Sequence, residues 1–272
     1  MNRYAVFGNP INHSLSPKIH KEFASSFNRE IQYESVLVPV GKFKEEADKF
    51  CDLGGKGLNV TLPFKPDAYD YIDEADKFAE LTGAVNTIRF IDGKKIGYNT
   101  DGIGFERDVK NNLKYSLENQ NILLLGAGGA ARGIIPNILN SSPNLVSVYN
   151  RTYEKAEILA DCFSILGDIS AVDESSLCNN QYNMIINATS IGSSKNKMIE
   201  IPQVIFDENT ICYDLSYGKL ADSFKDWARK NNLSFFDGLG MLIEQAAESY
   251  FIWENDRPIN NEKIKSMLLK DL

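Results

Sequence analysis

Histidine is nearly missing from this chain: His13 and His20 are the only two in 272 residues. That removes most imidazole-built metal sites and most Ser–His or Cys–His nucleophile schemes, and no metal is expected. A proton donor, if the chain is a catalyst, has to be lysine, tyrosine or a carboxyl group. The four cysteines, Cys51, Cys162, Cys178 and Cys212, are scattered and form no C-x-x-C. Met1 to Phe7 enters a strand pattern with no signal-peptide core, so free thiols in a cytoplasmic setting are expected. No uncharged apolar run is long enough to cross a bilayer, so no membrane partner is expected. An excess of basic charge is also lacking. The net charge of −8 argues against nucleic acid as a partner. Repeats and low-complexity tracts are absent.

What is present is a glycine fingerprint in a mechanistically sensible place. Asn121-Ile-Leu-Leu-Leu-Gly-Ala-Gly-Gly-Ala-Ala131 is an apolar strand running into G-x-G-x-x-A. Gly126 suits a tight turn, Gly128 leaves room for a pyrophosphate, and Ala131 lets the next helix pack close to the sheet. That helix would aim its N-terminal N–H groups at phosphates. A second apolar strand ends in Asn150-Arg151-Thr152. An NAD site usually carries an acidic residue at that point. Asn150 does not repel a 2′-phosphate, and Arg151 can pair with it in a forked geometry. The reading is NADP over NAD. Thr152 also suits a helix N-cap, and both roles can hold at once.

Strand–helix alternation predicts parallel-rich sheets covered by helices. Strands are expected at 4–7, 31–38, 57–60, 85–90 and 95–98, with helices at 17–27 and 43–53. A longer helix at 101–113 would connect two domains. Further strands are expected at 122–125, 145–149, 184–187 and 211–215, then helices at 241–253 and about 262–269. The fold class is α/β with two domains. Residues 1–101 and 239–272 would form a discontinuous substrate domain, and 102–238 the dinucleotide domain.

Three segments could carry chemistry. In Gly57-Leu-Asn-Val-Thr-Leu-Pro-Phe-Lys65, strand periodicity sends Leu58, Val60 and Leu62 to the core and Asn59 and Thr61 to the other face. Lys65 then falls in the turn past the strand's C-terminal end, where α/β folds place ligands. The plain alternative is a solvated surface lysine. In Gly97-Tyr-Asn-Thr-Asp-Gly-Ile-Gly104, Asp101 stands at a strand end and helix start. It is either a helix N-cap or a carboxylate that orients Lys65. In Ser14-Leu-Ser-Pro17, Ser16 would cap a helix with Pro17 at its first position, and two hydroxyls there suit a carboxylate ligand. His13 is a general-base option, though a lone histidine is more often structural.

Together these pieces resemble the shikimate dehydrogenase family along nearly the whole chain. The matching motifs are Gly8-Asn-Pro-Ile-Asn-His-Ser-Leu-Ser-Pro17, Asn59-Val-Thr-Leu-Pro-Phe-Lys65, Gly83-Ala-Val-Asn-Thr87, Asn99-Thr-Asp101 and Gly126-Ala-Gly-Gly-Ala130. Asn150-Arg-Thr152, Asn187-Ala-Thr-Ser-Ile-Gly192, Tyr213-Asp-Leu-Ser-Tyr217, Asp237-Gly238 and Met241-Leu-Ile-Glu-Gln245 follow in register. The resemblance implies a Rossmann-type cofactor domain and reversible NADPH-dependent reduction of 3-dehydroshikimate to shikimate, a step toward chorismate and the aromatic amino acids. It implies Lys65 as proton donor or acceptor, with Asp101 holding Lys65 and binding a ring hydroxyl. Ser14 and Ser16 would bind the substrate carboxylate, and Thr61, Asn86, Tyr217 and Gln245 the rest of the substrate. Gly126, Ala127, Gly128, Gly129, Ala130, Asn150, Arg151, Thr152, Leu215 and Gly238 would line the NADP site. A homodimer is compatible with the sequence, which does not fix the oligomeric state.

Two stretches depart from the family pattern. Gly218-Lys-Leu-Ala-Asp222 replaces a proline and threonine after Tyr217, and Ser193-Ser-Lys-Asn-Lys197 replaces a short Met-containing loop. Two rivals remain at this stage: a quinate/shikimate dehydrogenase that prefers NAD, against which Arg151 argues, and a non-catalytic shikimate-sensing module, against which the joint presence of Lys65 and Asp101 argues.

Overall fold

The computed structural model describes residues 1–189, 201–259 and 261–270, without the side chain of Asn261. The chain forms two compact units, Met1–Gly104 with the segment from Leu242 onward, and Phe105–Met241.

The first unit holds six strands: β1 (Asn2–Gly8), β2 (Ile31–Leu37), β3 (Gly55–Val60), β4 (Glu74–Ala75), β5 (Thr87–Ile91) and β6 (Lys94–Tyr98). Their order is β2-β1-β3-β5-β6-β4. Helices α1 (Ser16–Ser26), α2 (Phe43–Asp52), α3 (Lys65–Tyr71) and α4 (Lys77–Thr82) lie between them. The strands β1, β2 and β3 are parallel, but β5 runs antiparallel to both β3 and β6. This part of the sheet is therefore mixed, not simply parallel. The cause is local. Asp92 and Gly93 both take positive φ (51° and 75°), the signature of a two-residue hairpin turn whose twist matches its strands. A buried cluster including Phe7, Phe43, Phe50, Leu58, Val60, Phe64 and Ile88 forms the core.

Period-two alternation ends sooner than the sequence suggests. Leu58 and Val60 are buried, but Leu62 is 70% exposed. The strand stops at Val60, and a turn closed by Phe64 N–H on the Thr61 carbonyl (3.0 Å) buries Phe64 instead. Lys65 consequently opens α3 rather than sitting in the turn.

The second unit contains β7 (Asn121–Leu125), β8 (Leu145–Tyr149), β9 (Ile169–Val172), β10 (Met184–Asn187), β11 (Ile211–Asp214) and β12 (Ser234–Phe236). All are parallel, in the order β12-β11-β10-β7-β8-β9. Read from the other side, this is the doubly wound 3-2-1-4-5-6 order, with its switch point between β7 and β10. Continuous apolar strands such as Ile122–Leu125 are fully buried, as a sheet covered on both faces requires. Helices α6 (Gly129–Asn140), α7 (Tyr153–Phe163) and α8 (Asp222–Lys230) follow β7, β8 and β11.

The chain passes between units inside α5 (Asp101–Arg107) and again inside α9 (Leu239–Glu254), and α10 (Asn261–Leu268) ends the described structure. The helix expected over 101–113 is interrupted. Asp108–Asn112 is a π-helical turn. Asp108 is buried there, accepting from the Tyr213 hydroxyl (2.6 Å) and Asn112 Nδ2 (2.8 Å). Among the described residues no helix is long and apolar enough to cross a membrane.

Gly238 stands where a side chain has no room. A Cβ there would lie 2.3 Å from the Leu215 carbonyl oxygen, which is backbone and cannot swing aside. Gly238→Ala should cost about 1–3 kcal/mol. The expected thermal denaturation midpoint is lower by several degrees, and an unchanged midpoint would contradict this packing.

Candidate active site

The end of β3, the start of β5 and the end of β6 bring three loops of the first unit together. Strand pairing sets Asn59 opposite Thr87, and Thr87 opposite Tyr98. Lys65 and Asp101, 36 positions apart, form an ion pair through Nζ and Oδ2. Their side chains are 21% and 11% exposed, so the pair is largely withdrawn from water.

Asn86 fixes the carboxylate from behind. Its Nδ2 donates to Asp101 Oδ1 (2.8 Å) and Thr100 Oγ1 (3.0 Å), and its Oδ1 accepts the Thr100 N–H (2.9 Å). Gln245 on α9 places Oε1 3.4 Å from both Asn86 Nδ2 and Thr100 Oγ1. The Asp101 backbone N–H goes to Asn99 Oδ1 (3.1 Å). Asn99 thus performs the capping that Asp101 was free to perform, and the Asp101 carboxylate keeps its oxygens for Lys65 and Asn86.

Ser14 Oγ accepts the Ser16 N–H (3.3 Å). The expected Ser16 cap is not formed. Leu15 occupies the N-cap position of α1, no side chain caps it, and Ser16 is the first helical residue. Thr61 is half-buried just past β3. His13 is exposed in a turn.

A layer of polar side chains below the pair was not anticipated. Ser249, one helical turn after Gln245, is fully buried. Its hydroxyl lies 2.7 Å from Thr87 Oγ1 and accepts from Asn59 Nδ2 (3.0 Å). Asn59 Oδ1 accepts from the Tyr33 hydroxyl (2.7 Å), and His20 stacks on the Tyr33 ring at 4.4 Å. The four-residue spacing of Gln245 and Ser249 places both on one helix face, the only hint in the sequence.

In the second unit, Gly126 turns out of β7 with φ of 104°, and a Cβ there would press 3.0 Å against the Ala188 carbonyl. Gly128 and Gly129 face open space: a Cβ on either meets nothing within 4 Å. Gly128 is the N-cap of α6 and no side chain caps that helix, so its first-turn donors remain for an anion. Ala127 and Ala130 complete the turn, half-buried and exposed. Asn150 braces it, accepting the Ala127 N–H (3.3 Å) and donating to the Thr152 carbonyl (2.8 Å). Arg151 is exposed and has no side-chain partner among the described residues. Thr152 occupies the N-cap position of α7 without a side-chain cap bond. These features fit a phosphorylated dinucleotide: bare backbone and an uncapped helix for the pyrophosphate, and an unpaired guanidinium one strand over.

Leu215 and Tyr217 follow β11, and Gly238 follows β12. Tyr217 is half-buried in the second unit, whereas the other predicted substrate residues, Ser14, Ser16, Thr61, Asn86, Asp101 and Gln245, are in the first. Gly218–Ala221 forms a short 3-10 turn leading into α8. The 193–197 stretch and the end of the 187–192 motif lie outside the described residues.

The fold and these side chains define a two-unit α/β protein of the dinucleotide-dependent oxidoreductase class. Comparison with known proteins gives the family. Residues 6–88 match the shikimate dehydrogenase substrate binding domain, and residues 108–216 match shikimate / quinate 5-dehydrogenase. A shikimate dehydrogenase (NADP(+)) of Chromobacterium violaceum is 44% identical over 268 residues, covering 98% of this chain and 97% of the relative. The Thermus thermophilus shikimate 5-dehydrogenase, solved with NADP(H) and shikimate, is 30% identical over 95% of each chain with a TM-score of 0.84. That of Listeria monocytogenes, solved with shikimate and NAD, is 25% identical, covers 98% of this chain and 96% of its own, and has a TM-score of 0.89. The chain belongs to the shikimate dehydrogenase family.

His20 gives a pH test of the polar layer. Full burial pushes its imidazole down to about 3 from an ordinary value of 6.5. Between those values the unfolded chain binds one proton more, so this group erodes stability as pH falls below about 6.5. His20→Phe keeps an aromatic ring against Tyr33 and removes that erosion. From pH 7 to pH 5 the wild type should lose about 2 kcal/mol relative to His20→Phe. Urea unfolding at the two pH values measures it, and parallel losses would show that His20 is not held neutral.

Proposed function

We propose that this chain reversibly reduces 3-dehydroshikimate to shikimate with NADPH, in the cytoplasm, on the route to chorismate and the aromatic amino acids. The observation that carries the proposal is the Lys65–Asp101 ion pair locked by Asn86. In this reading the first unit binds substrate and the second binds NADP.

When bound, NADPH supplies the hydride to the carbonyl carbon. Negative charge grows on the oxygen, and the Lys65 ammonium holds the proton that this oxygen takes. Asp101 keeps Nζ aimed and accepts from a ring hydroxyl. Ser14 and Ser16 bind the substrate carboxylate. Thr61, Asn86, Gln245 and Tyr217 bind the remaining ring groups. In the reverse direction Lys65, as the free amine, accepts the hydroxyl proton. Gly126 to Ala130 receive the pyrophosphate, Asn150 to Thr152 the 2′-phosphorylated ribose, and Leu215 and Gly238 the other end of the cofactor. The four cysteines take no part, and all are free thiols.

The direct test follows NADPH absorbance with 3-dehydroshikimate, with quinate-series substrates and NADH as controls. Consumption confined to the quinate series or to NADH would reject this assignment in favour of the neighbouring specificity. Lys65→Ala should retain shikimate affinity and lose turnover by roughly 10²–10⁴-fold. Turnover close to wild type would remove Lys65 from the proton step. Wild-type binding of shikimate without any turnover would favour the sensing module.

Arg151→Ala should lower kcat/KM for NADPH by about 10–100-fold, the range expected for losing a charge-assisted hydrogen bond. NADH should change little. Equal losses with both cofactors, in steady-state assays, would mean that Arg151 does not read the 2′-phosphate.

A further inference from the structure

Another buried carboxylate lies far from Lys65 in the chain. Asp214 ends β11 and is fully buried. Its Oδ1 accepts the Ser216 N–H (2.7 Å), and its Oδ2 accepts Nδ2 of Asn187 (2.7 Å) at the end of neighbouring β10. Asn187 Oδ1 in turn accepts the N–H (3.1 Å) and hydroxyl (2.6 Å) of Thr189. Two strand-end loops are thereby clasped by one acid–amide pair. Each is braced again by backbone: the Ala188 carbonyl abuts Gly126, and Gly238 N–H donates to the Ser216 carbonyl (2.9 Å).

The location gives the pair a task. In this strand order the pyrophosphate belongs at the β7/β10 switch point and one mononucleotide half on each side of it. Arg151 marks the β8 side as the adenosine half. The described residues that follow β10 (Ala188 and Thr189), together with those after β11 and β12, are left for the other half. Building on the proposed NADP reading, we infer that the Asp214–Asn187 pair is a positioning device that sets Ala188–Thr189 and Leu215–Tyr217 against the nicotinamide half of the cofactor. The pair is chemically directional. Asp214 supplies acceptors only, and Asn187 turns its NH₂ to Asp214 and its carbonyl oxygen to Thr189. Burial pushes the Asp214 carboxyl up to about 6, the Asn187 and Ser216 donors pull it back, and Asp237 nearby adds a like charge.

That directionality yields a swap test. In Asp214→Asn, the new amide can accept from Ser216 only by turning its NH₂ toward the Asn187 NH₂, so two donors collide. In Asn187→Asp, two carboxylates face each other out of water. In the double variant the amide of position 214 donates to the carboxylate of position 187. The Ser216 and Thr189 donors then keep their acceptors, and every group is satisfied. The purified full-length proteins are titrated calorimetrically with NADPH and with adenosine 2′,5′-bisphosphate, which carries only the adenosine half. Each single variant should weaken NADPH at least tenfold and leave the bisphosphate within twofold. The double variant should return NADPH to within threefold of wild type. Singles that bind NADPH normally, that weaken both ligands alike, or that are not rescued by the swap would overturn the inference. If the singles do not fold, the double variant decides alone by the same threefold criterion. A wild type that fails to bind NADPH would instead fail the functional reading, before any variant is compared, and this inference with it.

Discussion

The first unit depends on keeping an ammonium and a carboxylate together at a place mostly closed to water. Such a pair is costly to bury unless its remaining lone pairs and protons are satisfied. Asn86 meets that requirement by giving its amide hydrogens to Asp101 and Thr100 and taking the Thr100 N–H in return. Asn86 is itself fixed, because it immediately precedes β5, whose register on β3 and β6 is set over several residues. The ion pair is therefore referenced to the sheet rather than to flexible loops. Below it, Asn59, Thr87, Ser249 and Tyr33 extend the same network toward the α1 and α9 faces. A displacement at the end of β3 or the start of β5 would reach Lys65 through at most three hydrogen bonds.

The second unit follows a different logic. Its parallel strands are mostly apolar inside, Ser147 aside, and the buried polar side chains Asn187 and Asp214 stand at C-terminal strand ends. There the backbone does most of the work, through Gly126 at its positive φ, the uncapped start of α6, and Gly238 against the Leu215 carbonyl. Side chains appear where backbone alone leaves a loop undetermined, as with Asn150 beside β8 and Asp214 with Asn187 between β10 and β11.

Legibility from sequence divides along the same line. The glycine turn, the apolar strands and the Asn150-Arg151-Thr152 end could be read because their signals are local. The antiparallel β5 was also signalled locally, by Asp92-Gly93, but strand–helix alternation elsewhere drew the reading toward parallel pairing. Leu62 was misplaced because periodicity does not say where a strand stops. The break after Arg107 could not be read, since it accompanies Asp108 partners as distant as Tyr213. Ser16 resembled a cap because serine before proline usually is one, while the helix here begins a residue earlier than that pattern implies. Ser249 and Asp214 were given no role for a shared reason: the partners of each come from other elements.

Two of the buried aspartates, Asp101 and Asp214, show how one residue type serves two ends. Asp214 is held by an amide and a backbone N–H, donors whose charge never changes, which suits a fixed brace. Asp101 faces a group whose charge must change if Lys65 gives its proton to substrate. The amine left behind would still donate an N–H to Asp101, but the pair would lose its charge–charge attraction. The Lys65 side chain is the more exposed partner, at 21% against 11%. In the proposed reaction, a neutral replacement at position 101 would remove the charge that holds the lysine in place.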